Sequence, residues 1–376
     1  MKYYAVYFKP RGALASEIGS DTLFGAVCWA LHVLGLTDVG ALLQNFSPPR
    51  FAFSATFPCY RVNGTTVRFY PRPMTGELMP AQVKQLAQEK RLKIPSRYQS
   101  TPEGKAVVEI VEEYKKEIKS ATHVSESVFR EGVEQGLTTF DLFRRLDSPS
   151  GFKSAYGLIY SAKENKQLRE MEQPFKTTAV QHNQIDRVIG STGEGMLFFE
   201  SETFFSVGVG LWCVVAVDGD ETRARLQAAF RYLSDTGLGA NRSVGKGHFE
   251  ITLADEIALP NAGENANAIV SLSRYLPNKG EWNTEHKPLR YEIKTVWGKR
   301  EQKFPRVPDG SKSPPIYKEP LRMFSPGSIF PLDAPRREVY GRLAQVVKGN
   351  EKGEGAVWQS GLMIPVFARA KTEGGM

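Results

Sequence analysis

Tyr, Val and Phe crowd residues 3–8, and that density predicts a β-strand at the start of the chain. A loop from Pro10 to Gly19 follows. Ser20-Asp-Thr then stands at the expected N-cap of a helix that reaches about Leu34 and stops at Gly35. Leu23, Phe24, Val27, Cys28, Trp29, Leu31 and Leu34 leave that helix apolar on most sides, the pattern of a helix covered all round.

Residues 50–70 alternate with Phe, Tyr and Val and predict one or two strands. The next stretch, about 81–145, is charged, helical in pattern and broken by Pro95 and Pro102. It reads as a helical insertion with helices near 81–91 and 103–120. From Met196 to Val217 the chain is strongly β again. Asp218-Gly-Asp220 is placed to cap a helix over 221–235, whose Leu226, Ala229, Phe230 and Leu233 recur at helical spacing. Gly237 ends it, and a strand follows at Phe249–Leu253. Without the insertion the order is βαββαβ, a ferredoxin-like unit.

The remainder, from 256, predicts strands at 268–276, 289–297 and 356–367, with a Pro/Lys/Ser loop at 304–320. It reads as a second, degenerate copy of the same unit, although no internal repeat is visible. The fold class is α+β, in two domains, 1–255 and 256–376.

Composition sharpens this picture in two ways. The net charge is +8, and 15 Lys/Arg against 8 Asp/Glu fall between Lys279 and Lys348, so most of the excess lies in the second half. A basic half suggests a polyanionic partner. Cys28, Cys59 and Cys213 are far apart and odd in number, which excludes a CxxC metal or redox site and suits a reducing compartment. The start of the chain lacks the shape of a signal peptide, and no apolar run reaches spanning length. The expectation is a cytoplasmic protein.

The densest candidate chemistry is Gly237-Leu-Gly-Ala-Asn-Arg-Ser-Val-Gly-Lys-Gly-His-Phe-Glu-Ile251. Glycines let the backbone approach a ligand, and successive N–H groups with a Lys can converge on one anion. Nucleotide motifs do not fit. Gly239 and Gly245 are separated by five residues, and Gly247 stands where a Walker loop needs a hydroxyl. The loop also follows a helix and enters a strand, the reverse of a P-loop. No cofactor and no metal site is expected.

Four segments carry a family resemblance: Ser20-Asp-Thr-Leu-Phe-Gly-Ala-Val-Cys-Trp-Ala-Leu31; Gln181-His-Asn-Gln-Ile-Asp-Arg187 with Gly195-Met-Leu-Phe-Phe199; the glycine loop; and Lys318-Glu-Pro-Leu-Arg-Met-Phe-Ser-Pro-Gly-Ser-Ile-Phe330. Their order and spacing resemble the RAMP superfamily of CRISPR proteins, most closely the family of the fourth subunit of the type III-A Csm complex. The resemblance implies two RRM-like folds, a β-hairpin thumb and a non-catalytic RNA-binding role. It implies the 5′ handle of the crRNA as ligand, target RNA at the guide junction, and two protein partners: the large Palm-domain subunit and the backbone RAMP subunit. The 81–145 insertion matches nothing assignable.

Under that resemblance the RNA-binding candidates are Gly239, Arg242, Ser243, Gly245, Lys246, Gly247 and His248. Arg242 and Lys246 would serve phosphate or base contacts, and the backbone N–H groups of Gly245 to His248 phosphate oxygens. Ser20 and Thr22 at a helix N-terminus could donate to a phosphate, with plain capping as the competing role. Residues 175–198 would form the thumb, with His182, Asn183, Ile185, Asp186 and Arg187 toward its tip. Lys294, Lys299, Arg300, Lys303, Arg306 and Arg322 offer a track for a sugar-phosphate backbone. No catalytic residue is expected. The rival reading is a metal-independent RAMP endoribonuclease, for which only His182 and His248 of the five histidines lie in motifs.

Overall fold

The computed structural model describes residues 1–62, 64–76, 78–79, 82, 85, 116, 120–146, 148–169, 171–185, 192–281, 290–299, 317–333, 335–348 and 356–371. The strands of the first half are β1 (Lys2–Pro10), β2 (Phe51–Phe53), β3 (Phe57–Val62), β4 (Thr65–Pro71), β5 (His123–Ser125), β6 (Phe152–Ala155), β7 (Leu158–Ser161), β8 (Phe175–Ile185), β9 (Thr192–Phe205), β10 (Val209–Val217) and β11 (Phe249–Glu256). Nine of them form one mixed sheet in the order β11–β1–β10–β3–β4–β5–β7–β6, with β2 paired to the C-terminal end of β10. The first helix, Ser20–Val33, follows β1, and the helix Asp220–Thr236 follows β10. The βαββαβ order read from the chain thus closes into adjacent antiparallel strands, β11–β1–β10–β3.

Every residue of β10 is buried. A strand covered on both faces has no polar side to show, so it reads as an unbroken apolar run rather than an alternation. Trp212 at its centre is fully buried and donates from Nε1 to the Phe69 carbonyl at 2.8 Å, which satisfies its one polar atom. Phe57 and Tyr70 meet its ring edge-on.

The predicted insertion ends earlier than its composition implies. His123–Ser125 returns to the sheet, antiparallel to β4 and parallel to β7. The helix Glu126–Gln135 follows, with an amphipathic pattern whose Val128, Phe129 and Val133 are buried. The helices expected at 81–91 and 103–120 fall outside the described residues apart from isolated positions.

The second half supplies β12 (Ala268–Ser271), β13 (Ile293–Val296), β14 (Leu321–Phe324), β15 (Ile329–Pro331), β16 (Leu343–Val347), β17 (Val357–Ser360) and β18 (Pro365–Ala368). They form three small antiparallel sheets: β15–β12–β18, β13–β14 and β16–β17. Among the described residues this half has no α-helix, so its likeness to a second βαββαβ unit rests there on strands alone.

The two halves share one core. Ala268, Val270, Leu272, Leu362, Ile364 and Val366 belong to the same buried cluster as Val27, Phe53 and Val215. Hydrogen bonds stitch the seam: Ala55 N–H to the Leu272 carbonyl (2.9 Å) and Ser273 Oγ to the Phe53 carbonyl (2.7 Å). The first helix packs on the helix Asp220–Thr236 and also on β17, which explains why it is apolar on most of its circumference. All three cysteines are buried and unpaired. Burial pushes the Cys28 and Cys59 thiols up to about 12 and the Cys213 thiol higher still. Among the described residues no helix is long and apolar enough to cross a membrane.

Candidate nucleic-acid interface

Three segments meet at one end of the main sheet: the loop after β1, the stem of the β8–β9 hairpin and the glycine turn. Each holds the next by backbone. Arg11 N–H donates to the His248 carbonyl, Gly247 N–H to the Ala13 carbonyl, and Leu238 N–H to the Gly247 carbonyl, each at 2.8 Å. Leu14 exchanges both backbone bonds with Thr203 of β9.

This stitching explains the glycines. Gly247 adopts φ +66°, and a Cβ there would lie 1.9 Å from the Leu238 carbonyl oxygen. No side chain fits. At Gly12 a Cβ would come within 2.8 Å of the Gly245 oxygen. Asn241 takes the left-handed conformation that Asn tolerates, at φ 59°. A short 3₁₀ turn, Arg242–Val244, follows it.

The sequence leads to the expectation that the N–H groups of Gly245 to His248 form an open anion cradle, and for the first three the turn overturns it. Gly245 N–H donates to the Arg242 carbonyl, Lys246 N–H to the Asn241 carbonyl and Gly247 N–H to the Ala13 carbonyl. Those groups face the protein because the turn is closed by its own backbone. The outward groups are side chains. Ser243 and Val244 are exposed, and Arg242, Gly239 and His248 are half-buried. His248 Nε2 lies 3.2 Å from the Arg242 carbonyl, so that nitrogen carries the proton and donates.

Lys246 is the second correction. Its ammonium is bonded to Glu202 of β9 instead of standing open to a phosphate. The other Glu202 oxygen accepts from His182 Nε2 at 3.0 Å. Glu202 is fully covered. The Lys246 hydrogen bond holds its carboxyl below the usual carboxylate range, against the raising effect of burial and with help from His182. Alongside, Asn241 donates to Glu200 at 2.7 Å, and His182 stacks on Phe198. His182, Glu200 and Glu202 bring three potential ligand atoms within 4.8 Å of one another. Of the three, Glu202 pairs with Lys246.

The hairpin is longer than predicted. Its arms are 175–185 and 192–205, paired from Phe175↔Phe205 to Ile185↔Thr192. His182 and Asn183 therefore sit in the stem, whereas the sequence suggests a place toward the tip. Ile185 closes the β8 ladder, and Asp186 and Arg187 lie outside the described residues. Among the described residues Leu197, Phe198, Phe199 and Phe204 are large apolar groups of the stem that stand exposed.

Ser20 is not the N-cap, and its hydroxyl is engaged within the fold. Gly19 is the N-cap residue, and Ser20 is buried with its hydroxyl accepting the Arg274 N–H at 2.9 Å. Asp21, next to it, takes a 2.9 Å bond from Arg274 Nη1 and another from Gln359 Nε2. This helix start docks onto the second half of the chain, which local capping rules cannot foresee. Thr22 is half-buried. Glu202, which organises the interface, is not among the residues that sequence reasoning singles out. A lone acidic residue in a β-run carries no sequence signal; its only trace is its β-face alternation with Glu200.

No family model and no curated protein matches the sequence. Solved structures do. A chain in the crystal structure of a Csm3-Csm4 subcomplex of the type III-A CRISPR-Cas interference complex superposes with a TM-score of 0.59 at 14% identity, covering 98% of this chain and 100% of that one. The Csm1-Csm4 cassette in complex with cA4 gives 0.56 at 16% identity, over 99% and 100%. The cassette with AMPPNP gives 0.54 at 17%. The fold is that of Csm4. The Csm4-like fold spans both halves of the chain end to end, in agreement with the single shared core. At these identities the likeness concerns architecture, and residue roles rest on the geometry above.

Proposed function

We propose that this chain is a non-catalytic RNA-binding subunit of a type III-A CRISPR effector complex. It holds the repeat-derived 5′ handle of the crRNA and joins the large Palm-domain subunit to the backbone RAMP subunit. In this reading the first half is an RRM-like unit, the strands after Glu256 belong to a second, and the β8–β9 hairpin is the thumb that meets target RNA at the guide junction.

The observation that carries the reading is the glycine turn braced against the hairpin stem, with Ser243 exposed on it and Arg242 and His248 half-buried beside it. A single strand presents phosphates, 2′-hydroxyls and splayed bases. A cation, a hydroxyl and an imidazole on one rigid turn match that mixture. Rigidity comes from the inward backbone bonds, so the turn need not be ordered on binding. The overall likeness to chains solved with Csm1 and Csm3 partners supports the assembly role.

The histidines support a holding role over a cleaving one. His182 Nε2 is bound to Glu202, and His248 Nε2 donates to a backbone carbonyl. A general acid–base pair would have to work through the remaining nitrogen of each ring.

The test is direct. Handle RNA is titrated into the full chain and into Arg242→Ala over a range of salt. Weaker binding, with a salt slope lower by about one, is expected. Unchanged affinity and slope would remove the turn from the interface. Incubation with repeat RNA should leave it intact. Cleavage that vanishes in His182→Ala or His248→Ala would establish the endoribonuclease instead.

A further inference from the structure

β13 and β14 form a two-stranded ribbon in the basic half of the chain. Along β13 and its flanks Tyr291, Ile293 and Trp297 alternate onto one face and are 50%, 49% and 70% exposed. About half or more of each of these side chains is open to solvent instead of packed in the core. Gathered in a patch they mark a contact surface.

At the end of the ribbon Lys299 pairs with Tyr317, itself 52% exposed. The Trp297 and Tyr317 rings lie 6.3 Å apart with planes tilted by only 31°. The two rings are neighbours, and both are exposed. Lys299 Nζ stands 5.7 Å from the Tyr317 ring centroid, and exposed Arg322 sits opposite Thr295 on the same face. Among the described residues no carboxylate forms an ion pair with Lys299 or Arg322. Flat aromatic faces flanked by cations suit an unpaired nucleotide, whose base stacks while its phosphate meets the charge.

Ion pairs tie the second half of the chain to the loop after β1 and to the start of the first helix. Gly247 binds Ala13, Glu17 pairs with Arg274 (3.5 Å), Arg274 pairs with Asp21, and Lys318, next to Tyr317, lies in the field of Asp21.

We propose that Trp297 and Tyr317 form a stacking platform for an unpaired base of single-stranded RNA, with Lys299 and Arg322 contacting its phosphates. The platform deepens the RNA-holding reading above and rests on it. It extends the grip from the turn to the second half of the chain.

The probe is fluorescent octa-adenylate, titrated by anisotropy into the full chain at several salt concentrations, beside an abasic strand of equal length. Trp297→Ala should weaken octa-adenylate binding about tenfold with the salt slope unchanged, and Trp297→Phe should restore most of it. The abasic strand should bind parent and Trp297→Ala alike. Lys299→Ala should lower the slope by about one. Parental affinity in Trp297→Ala overturns the platform. So does intact RNA binding with lost association to another subunit, which would make the patch a protein contact. Arg242→Ala separates the two ideas. If it weakens binding and Trp297→Ala does not, the turn stands and the platform falls. If only Trp297→Ala weakens it, the platform stands and the turn falls; if neither does, both fall.

Discussion

Lys246 of the glycine turn and Glu202 of the hairpin form an ion pair across the seam between the two elements. The pair ties the position of the turn to that of the stem. Lys246→Ala and Glu202→Gln should each lower the melting temperature by a few degrees. The double variant should lose less than the sum, because each single change strands the other charge. Thermal denaturation of the four proteins checks this. Strictly additive losses would mean that the pair does not couple turn to hairpin.

The glycines of the turn should differ in what they tolerate. Gly247→Ala drives a methyl into the Leu238 carbonyl and should cost at least about 2 kcal/mol. Gly245 has a positive φ but open space around it, so Gly245→Ala should cost about 1 kcal/mol. Denaturant melts of the two variants give the comparison, and equal losses would contradict the packing described.

Ser20 should behave as a structural residue. Ser20→Ala leaves the Arg274 N–H without its acceptor in a buried seam, at a cost of about 1–2 kcal/mol. RNA affinity at a temperature where the variant is folded should be unchanged. A selective loss of affinity with no loss of stability would return Ser20 to the RNA surface.

His123 predicts a pH response. Its ring, edge-on to Phe57, is pushed by burial from 6.5 down to about 4. The unfolded chain takes up this proton first, so stability contributed by the neutral ring is present above about pH 6.5 and is lost as the pH falls toward about 4. Glu202, held low, adds its own loss further into the acid range. His123→Gln should flatten the stability profile between those two values while leaving the lower part in place. Denaturant melts across that range measure it; an unaltered profile would contradict the assignment.

The thiols should be silent. Cys28, Cys59 and Cys213 are buried and poorly ionised, so a thiol reagent should label none in the native chain and all three in denaturant. Rapid labelling of any one under native conditions would contradict its burial.

Much of the first half is legible in the sequence because local rules and tertiary demands agree there. The runs at 3–8 and 209–217, the buried helix from Ser20 and the amphipathic helix ending at Gly237 all appear, since each must put an apolar face against the same core. The glycine turn is legible as an unusual backbone, because residues such as Gly247 record close approach directly. Three matters are decided only by the assembled fold. Lys246 can be read as an open cation because its partner lies 44 residues away on another strand. Ser20 can be read as a cap because Arg274 is 254 residues distant. The charged stretch after residue 81 can be read as one helical insertion because three residues at 123–125 are too few to declare a strand without the neighbours that pair with it. Periodicity and glycine spacing report what a segment does with its own backbone and nearest turns. Which distant charge, hydroxyl or strand edge it meets depends on the packing of the whole chain, and local sequence holds no record of that.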